Sequence, residues 1–139
     1  MINPSDIHVN YYAVLVAAVA SMVIGYLWYG PLFGQEWGKL LGIKIESVDK
    51  NAAMKSYLWG YLFAAVTAYV LAHFVQLVGA TDWMGGVSTG FWVWLGFFFT
   101  TTVMNIMYEM KPMKLAWINV GYQLVNLLVM GAILAGWPY

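Results

Sequence analysis

The sequence predicts an all-α protein built as a four-transmembrane-helix antiparallel bundle, and three observations carry that prediction. Hydrophobic residues make up 63% of the chain and charged residues 9%, with a mean hydropathy of +0.72, a balance foreign to soluble domains. Four apolar runs are each long enough to cross roughly 30 Å of hydrocarbon at about 1.5 Å per residue. The links between the later runs are so short that neighbouring helices must be antiparallel.

The first run, residues 11–29, follows MINPSDIHVNYYAV. That segment has neither the basic region nor the small-residue cleavage site of a secretory signal, so the run is expected to be retained as a span. Pro31 is expected to stop the span at the interface, because proline lacks the N–H that a helix needs. In the loop 30–56, Phe33, Trp37, Leu40 and Leu41 recur at spacings of three and four, which predicts a short helix lying in the headgroups and ended by Gly42. Ser47 followed by Asp49 resembles a helix start, so the second helix should begin before its apolar part, residues 57–78. Spans three and four are expected at 86–108 and 115–137, joined by a tight link around Pro112. The whole chain, residues 1–139, then reads as a single integral membrane domain. Aromatic residues mark both ends of the runs: Tyr11, Tyr12, Trp83, Trp137 and Tyr139 at one, Trp28, Tyr29, Trp37, Tyr57, Trp59, Tyr108 and Trp117 at the other. Such belts sit at the two membrane surfaces.

Charge sets the expected orientation. Every cation is a lysine, at Lys39, Lys44, Lys50, Lys55, Lys111 and Lys114, and all of them fall in the first loop or the link between spans three and four. Lysine-rich loops stay in the cytoplasm, so both termini should face outside. Without arginine the chain lacks the fork that grips phosphate bidentately, and nucleic acid is excluded as a partner. Without cysteine there is no disulfide, thiolate metal site or cysteine nucleophile. The motifs GxxxxGK, HExxH and GxSxG are missing, and no span holds paired carboxylates, so phosphoryl transfer, metalloprotease and hydrolase chemistry lack their minimum parts. No cofactor is expected, and an enzyme is not the leading expectation.

Association in lipid depends on close backbone approach and on hydrogen bonds between helices. Ala13, Ala17, Ser21 and Gly25 in span one, and Gly60, Ala64, Ala68 and Ala72 in span two, form two ladders of small residues. Run antiparallel, they match in depth, and these helices are expected to touch along their length. Gly86 and Gly90 add a GxxxG to span three, a weak signal alone.

The last two spans carry amides at helical spacing. Thr101, Asn105 and Glu109 share one face of span three, while Asn119, Gln123 and Asn126 share one face of span four. Folding the hairpin about Pro112 sets Asn105 level with Asn119 and Thr101 level with Gln123. Asn126, at mid-membrane, needs a partner from elsewhere, with Ser21 and Thr67 at the right depth. One reading of this thread is interhelical glue, at about 0.6 kcal/mol per hydrogen bond. The other is a polar path or pocket open to the cytoplasm, since polar groups within spans commonly mark a pathway. Glu109 sits at the interface, where Lys111 and Lys114 can neutralise it. His73 is the ionisable residue well inside a span and forms a secondary polar site with Tyr69 and Gln76. A lone imidazole offers too few ligands for a metal, and a hydrogen-bonded neutral histidine is the simpler reading.

Two stretches, GYLWYGPLFGQEW and TTTVMNIMYEMKPMKLAWINVGYQLVNLLVMGAIL, resemble a family of small prokaryotic membrane proteins called domain of unknown function 1761. The resemblance rests on the elements WY-x-PLFG-x-x-W and IN-x-GY and covers most of the chain. It implies four transmembrane helices in a prokaryotic cytoplasmic membrane and brings no established activity. It directs attention to Trp28, Tyr29, Pro31, Leu32, Phe33, Gly34 and Trp37, and to Asn105, Asn119, Gly121 and Tyr122. Trp28, Tyr29, Pro31, Phe33 and Trp37 are expected to form a lip on the cytoplasmic side, beside the polar ladder. The expected partners are the lipid bilayer and further copies of the chain, since the aromatic surface FWVWLGFFF can face both lipid and a neighbouring subunit. The leading functional expectation is a channel or transporter subunit with a cytoplasm-facing polar path. A structural or accessory protein held together by its amides, and a membrane enzyme on a lipophilic substrate, are the alternatives.

Overall fold

The computed structural model describes residues 6–42 and 49–138, and all of their regular secondary structure is helical. Four helices are long and apolar enough to cross a membrane: Tyr11–Leu32, Lys50–Leu77, Trp83–Tyr108 and Met113–Gly136. The chain is thus a polytopic helical membrane protein. The expected helix start at Ser47, together with Lys44 and the belt residue Tyr139, lies outside the described residues.

Polar caps start three of the helices. The Asn10 side chain accepts the N–H groups of Tyr12 and Ala13 at the start of α1 (Tyr11–Leu27). Asp49 caps α3 (Lys50–Leu77) and Asp82 caps α4 (Trp83–Val93) by accepting backbone N–H groups, satisfying donors that an apolar start would leave unpaired. Pro112 precedes α6 (Met113–Gly136), where its missing N–H costs nothing. Gly42 and Gly79, with φ of 72° and 75°, end α2 (Gly34–Leu41) and α3 in the left-handed conformation, which glycine adopts without a Cβ penalty.

Two spans contain a widened π-helical turn. Span one does not stop at Pro31: α1 continues through a π turn, Trp28–Leu32, in which the Phe33 N–H reaches back five residues to the Trp28 carbonyl at 2.9 Å. Proline cannot donate to the carbonyl four residues earlier and its ring crowds that carbonyl, and widening the turn relieves both problems. Span three runs as α4, a π turn over Trp94–Phe99, and α5 (Thr100–Tyr108). No proline marks this second turn.

Helix α6 is the central post. It packs against α1, α2, α3, α4 and α5, and 39% of its apolar stretch is buried against 11% for span three. Its Leu127, Met130 and Leu134 fill the core together with Ala13, Ala17, Ala68, Leu71, Ala72 and Val75. The closest approach lies between α4 and α6. A Cβ on Gly86 would collide with the Gly131 carbonyl and lie 2.7 Å from the Ala135 Cβ, and one on Gly90 would strike the Leu127 carbonyl. The GxxxG that looked weak in the sequence therefore makes the tightest contact of the bundle, met by Gly131 and Ala135 at the same spacing on α6. The paired ladders of α1 and α3 hold at one end, where Ala13, Ala17, Ala68 and Ala72 are all buried. At the other end the small-residue register is lost, though the helices still meet through Met22 of α1. Ser21 lies 3.3 Å from the Tyr122 hydroxyl, and a Cβ on Gly25 would meet that same hydroxyl, so this half of the α1 ladder serves α6. Gly60 faces only the Met22 side chain.

Candidate functional site

The segment after α1 folds back onto the start of α6. The Pro31 turn swings Trp28 and Tyr29 toward α6, and Gly34 begins the short helix α2. The Trp28 Nε1–H donates to the Ile118 carbonyl at 2.9 Å, and its ring lies over Gly121, where a Cβ would come within 2.9 Å of Cζ2. Phe33 packs against Trp28 with ring centroids 4.9 Å apart, and Trp37 against Tyr29 at 5.0 Å. The Tyr29 hydroxyl donates to Asn119 Oδ1 at 2.8 Å, and its ring meets Tyr122 edge-on at 5.3 Å. Thus WY-x-PLFG-x-x-W and IN-x-GY, far apart in sequence, bind each other: Ile118 offers a carbonyl, Asn119 an amide, Gly121 a gap and Tyr122 a ring. On another side of α6, the Trp94 Nε1–H donates to the Val120 carbonyl at 2.9 Å. Each π turn begins with a tryptophan whose indole is anchored on the α6 backbone.

Beside this clamp lies a cup of about 420 Å³. Thr102, Asn105, Ile106 and Glu109 of the α5 side, Leu115, Asn119 and Gln123 of α6, and Trp37 and Leu41 of α2 line it, with Lys111 at its mouth. It is a shallow depression, open on one side, rather than an enclosed pocket. Asn119 and Gln123, one helical turn apart, put two amides on one wall. Glu109 and Lys111 pair at 2.9 Å, both about half exposed. Glu36 of α2 and Lys114 of α6 pair at 2.6 Å, tying α2 to the α5–α6 turn. The hydrogen bond from Lys114, then its charge, holds the Glu36 carboxyl below its ordinary value.

Several expected partnerships differ. Asn105 and Asn119 line the same cup without bonding to each other. Thr101 is exposed, and it is Thr102 whose hydroxyl donates to Gln123 Oε1, at 3.1 Å. Depth counting along a hairpin cannot choose between neighbouring residues that differ by about 100° around the helix. The buried Ile106 and half-buried Val103 fix the side of α5 that faces α6, and Thr102 is on it. Thr102 and Ile106, four apart, were the available signal. Asn126 does not join the cup, and its Oδ1 is buried without a hydrogen-bond partner. Neither expected partner serves it: Ser21 is engaged by Tyr122, and the Thr67 hydroxyl donates to the Phe63 carbonyl. Lys111 alone pairs with Glu109, since Lys114 is taken by Glu36.

At the other end of the bundle the secondary polar face divides. The His73 Nδ1–H donates to the Tyr69 carbonyl at 2.8 Å, and the two rings meet edge-on at 4.7 Å. Gln76 instead exchanges two hydrogen bonds with the backbone of His8, pinning the N-terminal segment to α3. Among the described residues no three His, Asp or Glu side chains gather as metal ligands. A second cavity, of about 580 Å³, opens here between the end of α3 and α4, walled by Phe74, Val78, Trp92 and Phe97 with Asp82 and Ser88 at one side. Sequence reasoning had no signal for it, because it arises where two helices diverge.

No curated protein and no solved structure matches the chain. The family model described as Protein of unknown function (DUF1761) matches residues 12–135, most of the chain, and the chain belongs to that family.

Proposed function

We propose that this protein is a channel or transporter subunit of a prokaryotic cytoplasmic membrane, and that the cup between α2, α5 and α6 is its cytoplasm-facing vestibule. One observation carries the reading. The amide of Asn105 lines an open cup without an intramolecular hydrogen bond among the described residues, where interhelical glue requires it to be paired. The free amide of Asn105 offers donors and acceptors to a small polar solute, and Glu109 paired with Lys111 beside it leaves the entrance close to neutral. The orphaned Oδ1 of Asn126, one turn deeper on the same face as Gln123, continues the polar line past the floor of the cup. Such groups inside a span are expensive and commonly mark a pathway.

A structural role is the second reading, supported by the bonds Tyr29–Asn119, Thr102–Gln123 and Ser21–Tyr122. The two readings part in a flux experiment. Purified protein in liposomes should speed the osmotic response to glycerol or urea, or the passage of K⁺ or Cl⁻, above protein-free vesicles. Gln123→Leu keeps the bulk at the deep end of the cup but removes the amide, and should return the rate to background with unchanged yield and a stability loss no larger than about 0.6 kcal/mol, the worth of its bond with Thr102. Wild-type rates at background for every probe would refute the transport reading and leave the structural one.

A further inference from the structure

Span three is poorly covered, and its bare side is not purely apolar. On α5 the buried Ile106 and the half-buried Thr102 and Val103 face α6, whereas Thr101, Met104, Asn105 and Tyr108 are exposed. Thr100 satisfies its hydroxyl on the Gly96 carbonyl and Thr102 on Gln123. Thr101 and Asn105, one turn apart, have no intramolecular hydrogen bond among the described residues. Gly96, exposed on the same span, has open space where a Cβ would stand. Among the described residues nothing would meet a side chain there, although glycine weakens a helix interior by about 1 kcal/mol relative to alanine. The bundle itself shows what glycines do on this span: Gly86 and Gly90 admit the α6 backbone.

We infer that the exposed side of span three seats the same side of a second copy, with Asn105 meeting Asn105 and Thr101 meeting Thr101 across a two-fold axis along the membrane normal. Copies inserted the same way and related by that axis bring like residues together at like depth. A facing pair must then be self-complementary. A side-chain amide and a hydroxyl each donate and accept, so both satisfy that condition. The one carboxylate on this side, Glu109, is already neutralised by Lys111, so the pairing brings no like charges together. A lipid chain offers neither donor nor acceptor to these groups, whereas a second copy offers both. Gly96, one turn before Thr100 on the exposed part of this span, leaves open space into which a partner helix can pack. The inference touches the vestibule reading at one residue: Asn105 is also a cup residue, and pairing across the axis uses one donor and one acceptor of each amide, leaving one of each toward the cup.

The chain contains no cysteine, so single introduced cysteines report contacts without background. Thr101→Cys and Asn105→Cys, each in the full chain in dilute liposomes, should form disulfide-linked dimers on copper-phenanthroline oxidation. Leu62→Cys and Val66→Cys, exposed on α3, should give less than a tenth as much. Gly96→Leu, combined with Asn105→Cys, should abolish the cross-link while leaving the unfolding temperature of the monomer unchanged. Equal cross-linking on α3, no dimer at either α5 position, or a cross-link indifferent to Gly96→Leu would each overturn the inference. The readout involves no solute movement, so its failure is distinct from failure of the transport reading.

Discussion

At the scale of single residues, the clamp between Trp28, Tyr29 and the start of α6 combines one indole hydrogen bond, one phenol hydrogen bond and one glycine gap. These contributions differ in kind. Hydrogen bonds within membranes average about 0.6 kcal/mol, because the unfolded chain in lipid also finds partners. Overpacking has no such compensation, and adding a methyl where none fits typically costs about 1–3 kcal/mol. Trp28 cannot simply swing aside, since its Nε1–H is held by the Ile118 carbonyl. Tyr29→Phe is therefore expected to lower stability by about 0.6 kcal/mol, and Gly121→Ala by clearly more. Gly30→Ala, where an added Cβ meets nothing, serves as the control for adding a methyl without a clash. Unfolding in mild detergent measures all three, and a Gly121→Ala variant as stable as Gly30→Ala would show that the ring does not close on the helix.

At the scale of elements, the α4–α6 pair is the joint on which the bundle depends. Gly86 and Gly131 bring two backbones into contact, and neither carbonyl can retreat without moving its helix. Gly86→Val should therefore wedge α4 from α6 and cost about 3 kcal/mol or more. The loss should appear as failed assembly or a collapsed unfolding midpoint in detergent titration, and a variant of near-native stability would refute the joint. The elements also show what a sequence can and cannot carry. Four helices and their direction were readable because apolar length and short links leave no other arrangement in lipid. Which face of each helix turns inward was less readable, because lipid-facing and protein-facing residues are equally apolar. Thus depth alone points to Thr101 where the helix face selects Thr102, and the weight of Gly86 and Gly90 shows only with Gly131 opposite them. The π turn at Trp28–Leu32 had its mark in Pro31, read as a stop. The one at Trp94–Phe99 carries no such mark in the sequence, and the structure shows only that it begins at Trp94, whose indole is held by the Val120 carbonyl of another helix.

At the scale of the whole molecule, charge and shape are polarised along the same axis. The Glu36–Lys114 pair binds the first loop to the α5–α6 turn, so the two lysine-bearing connections share one end of the bundle, and the cup opens at that end. The opposite end holds Asp6 and Asp82 and the α3–α4 turn. Lysines resist translocation, which predicts that the cup faces the cytoplasm. A cysteine placed at Thr81, in the α3–α4 turn, should react from outside intact cells with a membrane-impermeant maleimide. One placed at Lys39, on α2, should react only after permeabilisation. The reverse pattern would turn the bundle over and open the Asn105–Asn119–Gln123 cup to the exterior. The same residues would then form an entry from outside, so labelling decides which compartment supplies whatever solute the cup admits.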